Sequence, residues 1–151
     1  MTPISSSDDA LISTFGRLVE VQGRLERRLG SDLEARFGLP HAWFEVLVRL
    51  SRSDDGQLTM GALAEQVTLT TGGVTRLVDR MEAAGLVERL PCRTDRRVSY
   101  AAITDAGRAK LEEAAEAHAA NLRTVFDGFS AQELSLLDTL LDRLRALPPV
   151  A

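Results

Sequence analysis

Two short amphipathic stretches, each opened by a threonine and separated by a brief turn, constrain this chain more than any other feature. In the first, Thr59 precedes Met60, Leu63, Ala64 and Val67. In the second, Thr70 precedes Val74, Leu77, Val78 and Met81, spaced i, i+3, i+4 and i+7. A hydroxyl at the N-cap satisfies a backbone donor of the first helical turn, and the 3.6-residue period gathers the apolar side chains on one face. Thr71, Gly72, Thr75, Arg76, Asp79 and Arg80 fall off that face. Thr68 and Leu69 leave room for a tight connection alone, so the pattern is helix-turn-helix. Beyond Gly85, which suits the end of the second helix, the spacing no longer fits a helix. Residues 86–90 and 98–103 read as two strands around a loop at 91–97, a two-stranded wing with a basic tip.

The flanks are helical. Leu11, Phe15, Leu18, Leu25 and Leu29 share one face; Gly30 can end that helix, and Ser31 followed by Glu34 is a capping-box signature for a short second helix ending at Gly38. Pro40 suits the first turn of a third helix, whose expected buried stripe is Trp43, Val46, Leu47 and Leu50. Residues 53–56 read as a turn. On the far side, Thr104 caps a long helix in which Leu111, Ala115, His118, Leu122, Val125 and Phe129 approximate a heptad stripe. Ser130 and Glu133 form another capping box for a last helix carrying Leu134, Leu137, Leu141 and Leu144, stopped by Pro148 and Pro149. The expected fold is therefore mainly α with a small β wing: a winged helix-turn-helix core at about 40–104, flanked by helical regions at about 8–38 and 105–147. Long apolar stripes at both ends of a chain are usually buried against each other or against a second copy, which points to a symmetric homodimer.

With 151 residues there is room for one compact domain and none for a second, catalytic one. No apolar run approaches the roughly 18 residues needed to cross a bilayer, and the acidic start with Asp8 and Asp9 lacks the basic flank of a secretory signal, so a cytoplasmic protein without membrane contact is expected. The net charge of -4 argues against coating nucleic acid by bulk electrostatics, yet the charge is unevenly spread. Between positions 70 and 97, Arg76, Arg80, Arg89, Arg93, Arg96 and Arg97 outnumber Asp79, Glu82, Glu88 and Asp95, so a locally basic segment sits inside an acidic chain. No phosphate loop, nucleophile–base set or metal cluster is present, and neither an enzyme nor a cofactor is expected. The histidines, His41 and His118, lie far apart and without a clear carboxylate partner, a poor metal set. The single cysteine, Cys92, can form no disulfide within the chain.

The segment 70–82, Thr-Thr-Gly-Gly-Val-Thr-Arg-Leu-Val-Asp-Arg-Met-Glu, is followed by Gly85-Leu86-Val87-Glu88-Arg89, by Asp95-Arg96-Arg97 and by Thr104-Asp105-Ala106-Gly107. In this order the motifs resemble those of the MarR family of bacterial transcription regulators, over nearly the whole chain. The resemblance implies a dimer with both chain ends in the dimerisation region, the second helix of the motif in the major groove and the wing reaching toward the minor groove. It further implies a repressor released by a small molecule or by thiol oxidation. The chain departs from many relatives in one place: Pro91-Cys92-Arg93-Thr94 stands where they carry an acidic Asp-Pro pair.

Candidate DNA-contacting residues follow from side-chain chemistry. Thr70, Thr71, Thr75 and Arg76 carry the hydroxyl and guanidinium groups that read base edges or clamp phosphates, while Gly72 and Gly73 allow close approach of the helix start. Arg80, one turn on, is a candidate phosphate contact. Arg93, Arg96 and Arg97 are the basic tip of the wing, and Asp95 is expected to hold an arginine of the wing or recognition helix in place rather than touch DNA. The bland alternative is that the threonines cap the helix and Arg76 pairs with solvent or Asp79. An effector cleft is expected around Phe15, Leu18, His41, Trp43 and Phe44, its ligand unnamed by the sequence. Two other functions compete: a winged-helix protein-interaction module without DNA recognition, and a redox-sensing regulator acting through Cys92. Against the second, peroxide sensors of this family are expected to use a first-helix cysteine, which this chain lacks.

Overall fold

The computed structural model describes residues 6–67 and 71–148. Thr68, Leu69 and Thr70, including the expected N-cap at Thr70, lie outside the described residues. A short 3-10 turn, Ser6–Asp8, leads to helix α1, Ala10–Phe37, whose first turn is capped by Asp9 accepting from the Leu11 N–H at 2.7 Å. Here the structure corrects the sequence reading. Gly30 does not end a helix and Ser31 does not start one, because α1 runs unbroken to Gly38, which takes the left-handed conformation (φ 61°). Gly30 is buried where the next helix begins. A Cβ built on it would lie 3.1 Å from the Cβ of His41, so this glycine serves a close helix–helix approach.

Helix α2, His41–Ser51, starts on Pro40 and buries Phe44, Val46, Leu47 and Leu50. Trp43 is half-buried, and Phe44 takes the place expected for it in the stripe. A second correction follows. After a 3-10 turn at Asp54–Gly56, residues Gln57–Thr59 form a strand, β1, that the sequence did not announce. With β2, Val87–Pro91, and β3, Ser99–Ile103, it makes an antiparallel sheet in the order β1-β3-β2, so the wing is rooted in three strands rather than two. Leu58 pairs with Ala101, which in turn pairs with Arg89 on the other side.

Helix α3, Met60–Gln66, is capped as expected by Thr59, whose hydroxyl oxygen accepts from the Ala62 N–H at 3.1 Å. Helix α4, Thr71–Ala83, buries all four residues of its apolar stripe, Val74, Leu77, Val78 and Met81. Each such burial is worth about 1.5–3 kcal/mol before ordering entropy is subtracted, enough to fix the rotation of the helix about its axis. These side chains join Leu33, Leu39, Leu47, Leu50, Leu63 and Val87 in one core.

The chain leaves α4 through Gly85 at φ 79° and returns from β3 into helix α5, Asp105–Val125. Thr104 ties the two places together. Its hydroxyl donates to the Gly85 carbonyl at 2.7 Å and accepts from the Gly107 N–H at 3.0 Å, while its own N–H donates to the Leu86 carbonyl at 3.1 Å. A Cβ at Gly107 would collide with that Leu86 carbonyl oxygen and with Ile103.

The molecule divides into two units, the first ending at Glu116 and the second beginning at Ala117, within α5. In the second unit α5 stops at Val125, short of Phe129, which instead meets Phe126 edge to face in the following turn. Helix α6, Ala131–Arg145, opens on the expected capping box: Ser130 accepts from the Glu133 N–H at 3.1 Å and Glu133 from the Ser130 N–H at 2.8 Å. It buries no residue, and Leu136, Leu137, Leu140, Leu141 and Leu144 are exposed.

Two glycine-to-alanine changes should have opposite signs. Gly107→Ala is expected to cost about 1–3 kcal/mol through the forced shift at Leu86. Gly61→Ala, at an exposed position of α3 with nothing within 4 Å of the new methyl group, should stabilise by about 0.4–1 kcal/mol. Thermal melts of both variants check the pair.

Candidate nucleic-acid interface

With its apolar face buried, α4 turns its polar residues outward. Gly72, Arg76, Asp79 and Arg80 are exposed, and Gly73 and Thr75 are half-buried. Thr71 is the first residue of the helix. Arg76, Asp79 and Arg80, with Gly73, Leu77 and Ala42 of α2, line an open groove of about 650 Å³. Among the described residues no carboxylate pairs with Arg76, Arg80, Arg93 or Arg96. The bland pairing of Arg76 with Asp79 does not form. Asp79 is taken instead by Arg89 of β2, whose Nη2 lies 2.7 Å from its Oδ1.

Sequence reading missed the role of Arg89. The same Nη2 donates to the Thr75 carbonyl at 3.2 Å, and the Arg89 backbone N–H donates to Glu82 Oε2 at 2.7 Å. The signal lay in the strand period: in β2, Val87 is buried, Glu88 exposed and Arg89 half-buried on the face of Val87. A guanidinium on an inward face needs acceptors, and α4 supplies the Asp79 carboxylate and the Thr75 carbonyl.

At the wing tip, Asp95 and Arg97 form a fork. Arg97 Nε donates to Oδ1 at 3.2 Å and Nη2 to Oδ2 at 3.3 Å, while the Arg97 backbone N–H donates to Oδ1 at 3.0 Å. Arg97 is nevertheless 90% exposed, so the fork aims the guanidinium without covering it. Arg93 and Arg96 stand exposed beside it. Cys92 lies in the same loop, its Sγ 3.4 Å from the Thr94 hydroxyl; that hydrogen bond, then those from the Thr94 and Asp95 backbone, hold the thiol below its ordinary pKa. Cys92, Arg93 and Tyr100 help line a second hollow of about 610 Å³ at the foot of the wing.

The five effector-cleft candidates are distributed unevenly. Phe44 is a core residue, His41 and Trp43 are half-buried on the same helix, and Phe15 and Leu18 are exposed on α1. His41 Nδ1 lies 3.9 Å from Glu26 Oε1. Among the described residues no three His, Cys, Asp or Glu side chains gather as a metal site.

A family model described as "MarR family" matches residues 37–98. The HTH-type transcriptional regulator MhqR of Bacillus subtilis is 30% identical over 72% of this chain and 74% of its own length. The crystal structure of AbsC, a MarR family transcriptional regulator from Streptomyces coelicolor, shares 30% identity and superposes with a TM-score of 0.79, covering 92% of this chain and 97% of that one. Sco3205, a MarR family transcriptional regulator from the same organism solved in complex with DNA, shares 28% identity with a TM-score of 0.82, covering 91% and 89%.

The carboxyl of Asp95 is held below the ordinary aspartate range, first by the Arg97 side chain and then by the Arg97 backbone N–H. Its folded pKa lies under its unfolded one. The fork therefore contributes fully above the ordinary aspartate range and is lost as pH falls through the lowered value. A carboxyl-carbon NMR titration should give Asp95 a midpoint below that of an unpaired aspartate, moving upward in Arg97→Met; coincident midpoints in the two proteins would contradict the fork.

Proposed function

Because the chain belongs to the MarR family of transcriptional regulators, we propose that it is a homodimeric, sequence-specific DNA-binding repressor released by a small-molecule effector. The observation that carries the DNA reading is the state of α4: its apolar face is buried, Asp79 is paired with the Arg89 guanidinium, Glu82 accepts from the Arg89 backbone N–H, and among the described residues Arg76 and Arg80 stand exposed without an acid partner. A helix so arranged offers guanidinium groups to a polyanion.

In this reading the region at about 40–104 binds DNA and the helical regions at about 8–38 and 105–147 dimerise. Thr70, Thr71, Thr75 and Arg76 address base edges in the major groove, Gly72 and Gly73 allow the helix start to approach the backbone, and Arg80 takes a phosphate. Arg93, Arg96 and Arg97 of the wing grip the neighbouring backbone or minor groove, with Asp95 orienting Arg97. The likeness to Sco3205, whose structure contains DNA, supports the same use of the fold. Dimerisation is supported by two apolar faces left uncovered in a single chain. On α1, Leu11 is 76% exposed and Ile12, Phe15 and Val19 stand with it; on α6, Leu136, Leu140 and Leu144 do the same. Contiguous exposed patches of this kind mark interfaces. The effector pocket is proposed at α1 and α2, with Phe15, Leu18, His41, Trp43 and Phe44 as its candidate residues. Among the described residues no helix is long and apolar enough to cross a membrane, which agrees with a cytoplasmic regulator.

Arg76→Ala should cost about 1–3 kcal/mol per half-site on the cognate duplex and little on random duplex. Arg96→Ala should weaken both alike and lower the log-log salt slope by about one for every phosphate that a subunit no longer neutralises. Arg96 is preferred to Arg97 for this measurement, since removing Arg97 also strands Asp95. Titrations of both variants on both duplexes at two salt concentrations decide the matter, and unchanged binding everywhere would leave a protein-interaction module.

Sedimentation equilibrium at micromolar concentration should give a dimer, and Leu140→Asp with Leu144→Asp should give a folded monomer. A wild-type monomer would remove the two-fold operator, whose half-site centres are expected about 10 base pairs apart.

A further inference from the structure

Arg89 touches α4 three times from another element, through Asp79, the Thr75 carbonyl and Glu82. Its side chain is 31% exposed, and its Nε is buried without a hydrogen-bond partner among the described residues. Holding a guanidinium in that position has a desolvation cost that a surface arginine in water does not have. The geometry points to a positioning role: Arg89 locks the first strand of the wing to the recognition helix, its guanidinium withdrawing Asp79 from Arg76 and Arg80 while its backbone N–H holds Glu82, so that helix and wing meet DNA as one piece. This rests on the DNA-binding reading above.

The charge logic is local. Asp79 stands three residues from Arg76 and next to Arg80, on the exposed side of α4. Without Arg89 its carboxylate is free to pair with Arg76 one turn back, or to repel an approaching phosphate; either consumes the charge that α4 offers. The mechanical logic is equally local. Thr75 lies one residue before Arg76, so a donor on its carbonyl fixes the helix backbone where the base-reading side chain departs. Through the strand pairing of Arg89 with Ala101, that fixed point belongs to the same sheet that carries the wing arginines.

The test uses the duplex that the wild-type protein enriches most from a random-sequence pool, a random duplex, and the variants Arg89→Met, Arg89→Lys, Asp79→Asn and Arg89→Met with Asp79→Asn. Arg89→Met should lose about tenfold or more on the enriched duplex, with a much smaller loss on random DNA. Adding Asp79→Asn should recover part of that loss, because no lone carboxylate remains. If Arg89→Met does not fold, Arg89→Lys carries the same expectation in weaker form: its point charge can hold Asp79 but not the Thr75 carbonyl as well. Equal losses on both duplexes, a salt slope lower by about one per subunit and no recovery in the double variant would make Arg89 a phosphate contact and overturn the proposal. Undiminished selectivity in both Arg89 variants would also overturn it. Amide hydrogen exchange without DNA separates this from the reading beneath it. Faster exchange along α4 in Arg89→Met supports the lock even if the wild type enriches no duplex, in which case the DNA reading falls; unchanged α4 protection removes the lock.

Discussion

The hydroxyl of Thr104 is the knot on which the winged half of the molecule depends. It binds the carbonyl of Gly85, where the chain leaves α4, and the N–H of Gly107, where α5 begins, while the Thr104 backbone holds Leu86 at the root of β2. Four elements are fixed relative to one another by one residue. The knot closes only because the glycines on either side permit it: Gly85 turns at positive φ, and Gly107 brings its backbone against the Leu86 carbonyl, where a Cβ has no space. What looks like a short motif at residues 104–107 is the place where the end of one helix, two strands and the start of another are joined.

With that junction set, the burial of Val74, Leu77, Val78 and Met81 leaves α4 one orientation, and its outward face is decided by subtraction. The polar interactions then divide the charges by role. The exposed Asp95–Arg97 fork adds little to stability, and the gain of the Asp79–Arg89 pair is offset by the desolvation of the half-buried guanidinium, so neither is important as a stabiliser of the fold. Their importance is directional. The first aims a guanidinium from the wing tip, and the second ties the Asp79 carboxylate of α4 to Arg89 of β2.

The uncovered apolar surface is just as unevenly distributed. The core of the first unit is closed, with leucines and valines from α1 to α5 buried, yet the N-terminal part of α1 and α6 from Leu136 onward present apolar side chains to solvent. The central part satisfies its own hydrophobic demand while the ends do not, and the proposed homodimer rests on that contrast.

The elements set by interactions within a few residues were legible in the sequence: the Thr59 cap, the Ser130–Glu133 box, the buried stripe of α4, and the strands on either side of the basic loop. Each depends on a period or a hydrogen bond spanning at most one helical turn, so the residues that make it are adjacent on the page. Gly30, β1 and Arg89 were not legible in this way. A glycine reads as a helix stop unless the side chain it must accommodate, here His41 from the next helix, is known. Three residues such as Gln57–Thr59 are too few for an alternating pattern and become a strand only because β3 lies alongside. Arg89 reaches a carbonyl fourteen residues back, and no local rule connects a strand arginine to Thr75. The sequence by itself determined where caps and apolar stripes start most of the helices, where the strands beside the basic loop lie, and which charges these elements carry. Tertiary structure alone decided how closely the helices approach and which arginines remain free, because both depend on groups brought together by burial rather than by neighbourhood in the chain.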